Sequence, residues 1–231
     1  ADGEYSQPMV TPVDRFSVAG RTACVTAASG GLGRQCADAL AAAGAAVIGV
    51  ARREAELADW AASGTGKRAY IAADLMDEAG LEALCDEIVA PFGAPDILVH
   101  AAGVNLRQPA DEVTAKGWQQ TLWLNLTVPF LLSQKLVPHM KQRGWGRIVN
   151  FASLQSSRAF PDGIAYGASK GGVAQMTRAM AEAWSADGIN ANALGPGFFP
   201  TELTAPVFDD AERRARNAAQ TCIGRNGRLA D

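Results

Sequence analysis

The stretch Thr22-Ala23-Cys24-Val25-Thr26-Ala27-Ala28-Ser29-Gly30-Gly31-Leu32-Gly33 decides how this chain folds. Its first five residues read as a buried strand, and an alanine-rich helix follows from Leu32 to about Ala43. Between them lies a glycine-rich turn. A strand, such a turn and a helix make an anion cradle: glycine lets the backbone close on a pyrophosphate, and free N–H groups at the helix start point at it. An ordinary tight turn is the competing reading. Against it stands Ala46-Val47-Ile48-Gly49-Val50-Ala51, a second apolar strand that completes a βαβ unit of the length such sites require.

Outward from this unit, short apolar runs alternate with helical segments. Strands are predicted at about 67–72, 97–101, 147–152 and 189–194, and helices at 78–92, 117–142 and 165–186. That rhythm predicts a parallel sheet, and apolar runs without polar alternation predict strands covered on both faces. The fold class is therefore α/β, a single-domain doubly wound (Rossmann) parallel sheet. Breakers at Gly44, Gly93-Ala94-Pro95, Gly144, Gly188 and Gly195-Pro196-Gly197 fall where elements should end. Residues 1–18, with Pro8 and Pro12 and no periodicity, read as an N-terminal extension to a domain over 19–231.

Composition agrees with one soluble globular domain: 231 residues, 48% hydrophobic, 19% charged, formal net charge -3. A mildly acidic chain with scattered Arg and Lys argues against nucleic acid as a partner, and Arg213-Arg214 reads as a solvated helix face. No apolar stretch approaches a membrane span and no basic segment precedes an apolar core at the N-terminus, so a cytoplasmic location is the default expectation. Cys24, Cys36, Cys85 and Cys222 lack paired spacing and read as reduced and structural. With only His100 and His139, and no ligand spacing around them, no metal site is expected; His100, ending the run Ile97-Leu98-Val99-His100, reads as structural.

Chemistry points to Tyr166 and Lys170. Their four-residue offset stacks both side chains on one face of a helix, setting a phenol beside an ammonium. Bringing a tyrosine from a pKa near 10 to neutrality requires about 4 kcal/mol of differential stabilisation of the phenolate, and a fixed Lys charge supplies part of it. In a doubly wound sheet ligands sit beyond the carboxyl ends of the strands. The residues there are the glycine turn, Arg52-Arg53, Asp74-Leu75, Ala101-Ala102-Gly103, Ser153 and Gly195-Pro196-Gly197.

At this point the chain resembles the short-chain dehydrogenase/reductase family from about Phe16 to Asp231. The family's glycine motif matches Thr26, Gly31 and Gly33, with Ser29 and Leu32 inside it. Its adenine-contacting acidic residue matches Asp74, beside Leu75; its Asn-Ser-Tyr-Lys catalytic set matches Asn125, Ser153, Tyr166 and Lys170; its Pro-Gly turn and following threonine match Pro196, Gly197 and Thr201. Two departures stand out. Ala27 occupies the usual first glycine, tolerable if its backbone is not left-handed, and His100-Ala101-Ala102-Gly103 replaces an Asn-rich run, with Ala102 and Gly103 expected along the cofactor.

The resemblance implies an oxidoreductase interconverting a secondary alcohol and a ketone with a nicotinamide cofactor. Tyr166 would be the acid/base, Ser153 would bind the reacting oxygen, Lys170 would hold the nicotinamide ribose and depress the tyrosine pKa, and Asn125 would anchor a proton-relay water. For cofactor choice, Ala51 sits where NAD-specific sites place a carboxylate, and Arg52 follows it, which favours NADP(H) over NAD(H); two exposed arginines opening a helix are the plain alternative. Substrate candidates are Arg107, Ser153, Gln155, Phe160 and Phe198, with Arg107 either a carboxylate ligand or a solvated loop residue.

The run Asn190 to Phe199 looks most like the gluconate 5-dehydrogenase and related sugar-acid or polyol branch. A 3-oxoacyl-acyl-carrier-protein reductase is the runner-up, favoured by any basic patch beside the cleft, and a non-catalytic NADP(H)-binding sensor is the alternative of another class. The sequence ends at Leu229-Ala230-Asp231, where the family continues with a helix and a seventh strand, so strand six is expected at an edge. Tetramers or dimers built through helices 117–142 and 165–186 are what the family implies.

Overall fold

In a computed structural model the described residues are 16–231, so most of the expected extension, 1–15, lies outside them. Six parallel strands form one sheet: β1 (Thr22–Thr26), β2 (Ala46–Ala51), β3 (Arg68–Ala72), β4 (Ile97–His100), β5 (Gly146–Phe151) and β6 (Ile189–Leu194), ordered β3-β2-β1-β4-β5-β6. The order reverses between β1 and β4, so the strand ends part there and leave a crevice for a ligand. Register is tight along β1, from Thr22 opposite Ala46 to Thr26 opposite Val50.

Both faces of β1 are buried, as an apolar run with no polar alternation requires. Odd positions Ala23 and Val25 face the helices α1 (Gly31–Ala42) and α2 (Glu54–Ser63), with Ala37, Ala41, Leu57 and Trp60. Even position Cys24 faces the opposite layer, where α3 (Leu81–Val89) contributes Leu84 and Ile88. Gly49 in β2 exists for Trp60: a Cβ there would meet the indole at 2.8 Å. Trp60 is fully buried, and its Nε1 donates to Asp38, which also takes Arg68.

The helix expected at 117–142 is interrupted. The structure gives α4 (Ala115–Leu122), one π-helical segment over Trp123–Thr127, and α5 (Val128–Arg143). Thr114 caps α4 by accepting from the Gly117 N–H, and left-handed Gly144 ends α5. The next helix, α6 (Ile164–Trp184), carries Tyr166 and Lys170 as expected. Beyond β6 come two short helices, α7 (Ala205–Phe208) and α8 (Ala211–Ala219). Among the described residues β6 is an edge strand, with Leu194 48% exposed, and no helix is long and apolar enough to cross a membrane.

At the other end of the strands, Asp96 receives the Thr22 N–H and the Arg143 guanidinium, while Arg21 and Arg147 stack on Trp145. This end is closed by structural ion pairs, so the open ends are the carboxyl ones.

Candidate active site

The glycine turn is shaped by contacts that a Cβ would destroy. At Gly33 that atom would stand 2.4 Å from the Ala27 carbonyl oxygen, so only glycine lets the helix start press against the strand end. Gly31 is left-handed, with φ 55. Ala27 is left-handed too, at φ 58, which corrects the expectation: its methyl sits in the conformation that glycine would take freely, at a cost of about 1–2 kcal/mol. No side chain caps the start of α1, so the N–H groups of its first turn remain available to an anion.

A cavity of about 750 Å³ opens above this turn. Ser29, Gly31, Leu32 and Gly33 line one end, with Arg52, Asp74 and Leu75 beside them. Ala102 and Gly103 continue the wall past β4, and Pro196, Gly197 and Thr201 close it from the other side. An uncapped helix start, a backbone pressed flat by glycines and guanidinium groups beside the turn fit one end of an extended dinucleotide. Thr26 is the exception among the expected cofactor contacts. It stands behind the wall, 2% exposed, and its Oγ1 accepts the Ala101 and Ala102 N–H groups at 3.0 Å each.

Arg53, beside the expected Arg52, is the guanidinium laid across the turn. Its Nε and Nη2 reach Ser29 Oγ at 3.3 and 3.2 Å, and Nη1 pairs with Glu202 at 2.5 Å. Gly30 makes this possible, because a Cβ on it would lie 2.8 Å from Arg53 Nη2. Sequence reading missed Glu202 and underweighted Arg53; the signal available was a glycine where any side chain would have blocked the arginine.

Midway along the cavity, Ser153, Tyr166 and Lys170 converge on the wall. Ser153 Oγ accepts the Gln155 N–H at 3.1 Å, which turns its own hydrogen toward the Tyr166 phenol. Ser156 ties this turn to α6 by donating to the Lys170 carbonyl at 2.8 Å. Asn125 lies in the π-helical segment, 1% exposed and behind the wall. Its Oδ1 accepts from Val104 N at 2.8 Å, while Nδ2 donates to Val104 O at 2.9 Å and to Ser169 Oγ at 3.0 Å. Ser169 in turn donates to the Tyr166 carbonyl at 2.7 Å. One amide thus ties the loop after β4 to the helix bearing the tyrosine.

The electrostatics differ from the expected acidified phenol. Burial pushes the Tyr166 pKa above its ordinary value, against the Ser153 hydroxyl and the Arg107 charge, which pull it down. Lys170 does not offset the burial. Its Nζ lies 5.7 Å from the phenol ring centroid, donates to the Phe151 carbonyl, and is itself brought to about 8 by burial. Aimed at a carbonyl rather than at the hydroxyl, the ammonium is not among the groups that pull the phenol down.

The remaining wall is the substrate end. Phe160 and Phe198 meet edge to face, 6.1 Å between centroids, with Gln155 and Arg107 nearby on the lining. Arg107 and Asp162 both hold left-handed backbone, φ 51 and 57, a strain that accumulates at ligand sites. Arg213 and Arg214 are exposed on α8, as a solvated helix face requires, and Arg213 also stands on the cavity rim together with Arg216. His100 is remote from this chemistry. Ser133 gives its proton to the Pro129 carbonyl, so His100 Nε2–H must be the donor at 2.9 Å, leaving Nδ1 without a partner and the ring neutral. Among the described residues no group of three His, Cys, Asp or Glu side chains converges to hold a metal.

With this geometry in place, residues 21–212 match the family model described as short chain dehydrogenase. The chain is 37% identical to gluconate 5-dehydrogenase of Gluconobacter oxydans, over 94% of this chain and 86% of the relative. It is also 37% identical to 2-dehydro-3-deoxy-D-gluconate 5-dehydrogenase of Bacillus subtilis, with the same coverages. Among solved structures, a gluconate 5-dehydrogenase from Burkholderia cenocepacia J2315 in complex with NADP and tartrate superposes with TM-score 0.87 at 36% identity. That superposition covers 94% of this chain and 86% of the other.

Proposed function

This chain belongs to the short-chain dehydrogenase family, within its sugar-acid branch, and from that premise we propose that it is an NADP(H)-preferring oxidoreductase interconverting a secondary alcohol and a ketone on a sugar acid or polyol. The observation that carries the reading is the convergence of Ser153, Tyr166 and Lys170 on one cavity whose other end is the glycine turn. The nicotinamide, when bound, supplies or accepts the hydride at the carbinol carbon. In reduction, the Tyr166 hydroxyl gives its proton to the substrate oxygen, and in oxidation the phenolate takes it back. Ser153, whose hydroxyl faces the Tyr166 phenol, turns its donor to the same oxygen as charge builds there. Lys170 directs one donor to the Phe151 carbonyl and keeps two for ribose hydroxyls.

The NADP preference rests on Arg52 and Arg53 beside Ser29, with Ala51 in place of a carboxylate. The substrate proposal rests on the names of the relatives and on Arg107, a guanidinium on the cavity lining that suits a carboxylate. Arg213 and Arg216 give the acyl-carrier reading its basic rim, so the substrate screen includes 3-oxoacyl thioesters beside gluconate-type acids and polyols. Assembly as a homotetramer or homodimer, cytoplasmic placement and a domain beginning near residue 19 belong to the same proposal, with light scattering to test the first.

Tyr166→Phe is the decisive variant. It keeps the ring and loses the proton, and turnover should fall about 10²–10⁴-fold with cofactor affinity retained. Undiminished turnover on a substrate of the unaltered chain overturns the reading.

A further inference from the structure

The segment after Pro196-Gly197 reaches back over the cavity and is fastened there by two arginines. Arg107 Nη2 donates to the Leu203 carbonyl at 3.3 Å, and Arg53 Nη1 pairs with the Glu202 carboxylate at 2.5 Å. Glu202 opens a 3₁₀ turn over Glu202–Thr204, whose start is fixed by the reciprocal hydroxyl and backbone bonds of Thr201 and Thr204. Its carboxylate stands 3.8 Å from where a Gly30 Cβ would be, above the same turn that Arg53 crosses. The side chain is 79% exposed, so burial does not hold it there; the ion pair does. A carboxylate therefore occupies the adenosine end of the cavity, delivered by this segment rather than by β2, which ends in Ala51.

We propose that Glu202 is a specificity-determining residue that competes with the 2'-phosphate of NADP(H) for Arg53. The inference rests on the cofactor reading above and deepens it. A 2'-phosphate needs the guanidinium donors that Glu202 and Ser29 now share, and it is repelled by a carboxylate on the same group. A 2'-hydroxyl makes no such demand and can donate to that carboxylate. The ion pair therefore weakens binding of the phosphorylated cofactor and spares the other. Because Glu202 rides on the closing segment, phosphate capture of Arg53 also unfastens residues 199–204 from the glycine turn.

The test is a set of NADPH and NADH titrations, followed by cofactor fluorescence at low salt, on the unaltered chain, Glu202→Gln, Arg53→Gln and the double variant. Glu202→Gln is expected to tighten NADPH about two- to fivefold, the range for an exposed ion pair, leave NADH unchanged or weaker, and lose the gain when Arg53 is absent. The gain should shrink at high salt. Amide exchange over 199–204 should be faster with NADPH than with NADH. An equal shift in both cofactors, no shift, a gain that persists without Arg53, or identical exchange with the two cofactors overturns the inference. An unaltered chain that binds NADH more tightly than NADPH overturns the cofactor preference instead, while the selective effect of Glu202→Gln still decides this proposal.

Discussion

Tyr166 starts at a disadvantage as a proton carrier, because burial makes its phenol a weaker acid than in water. Alcohol oxidation needs the phenolate, so kcat/KM for oxidation should rise with pH into the alkaline range. Reduction, which needs the protonated form, should fall in the same range; pH profiles in both directions check this. Lys170 bears a related cost. The unfolded chain keeps this ammonium charged to about pH 10.5 whereas the native one sheds its proton at about 8, so neutral solution carries an opposing contribution of about 3 kcal/mol that vanishes as pH climbs between those values. Lys170→Met should stabilise the fold at pH 7 by about 1–2 kcal/mol, less than the full amount because the Phe151 carbonyl loses its donor, while activity is lost. Denaturant midpoints measure the gain. The four-residue spacing set Tyr166 and Lys170 on one helix, where both line the cavity, but it carried weight only beside the glycine turn and Ser153. The electrostatics of the pair were not legible, because desolvation depends on what packs around a residue, and no local pattern states that.

At the scale of elements, the π-helical segment Trp123–Thr127 is the feature that repeated hydrophobicity concealed. An inserted residue shifts the helical phase and turns Asn125 inward, yet the apolar rhythm on either side continues. Asn125→Ala should leave the Val104 amide and carbonyl without partners and cost about 2–3 kcal/mol by chemical denaturation. Since Val104 lines the cavity, KM should rise as well. Gly33 in the glycine turn was legible because it answers a steric demand made within a few residues, by the Ala27 and Thr26 carbonyls. Arg53, by contrast, gains its place through Gly30, and Glu202 through a segment 149 residues further on, a separation that sequence inspection does not bridge.

For the molecule as a whole, the alternation of apolar strands and helices was enough to specify a doubly wound sheet, since each run had to be covered on both faces. Stability in acid is a property of that entire core. The buried His100 ring takes a proton only near pH 4, whereas the unfolded chain takes one below about 6.5, so the unfolded state is favoured progressively as pH falls between those values. The loss should reach about 3 kcal/mol, and His100→Leu should flatten that part of the stability curve as followed by denaturant midpoints at each pH.

Thr26 has a consequence for anyone who would redesign this scaffold. Where neighbouring strands splay to admit a guest, their amides lose the partners a ladder would have given them, and here one hydroxyl receives two of those orphaned donors. The mouth of the sheet is therefore sutured at a single oxygen. Loops around it can be exchanged to suit a different guest, but the suture has to stay.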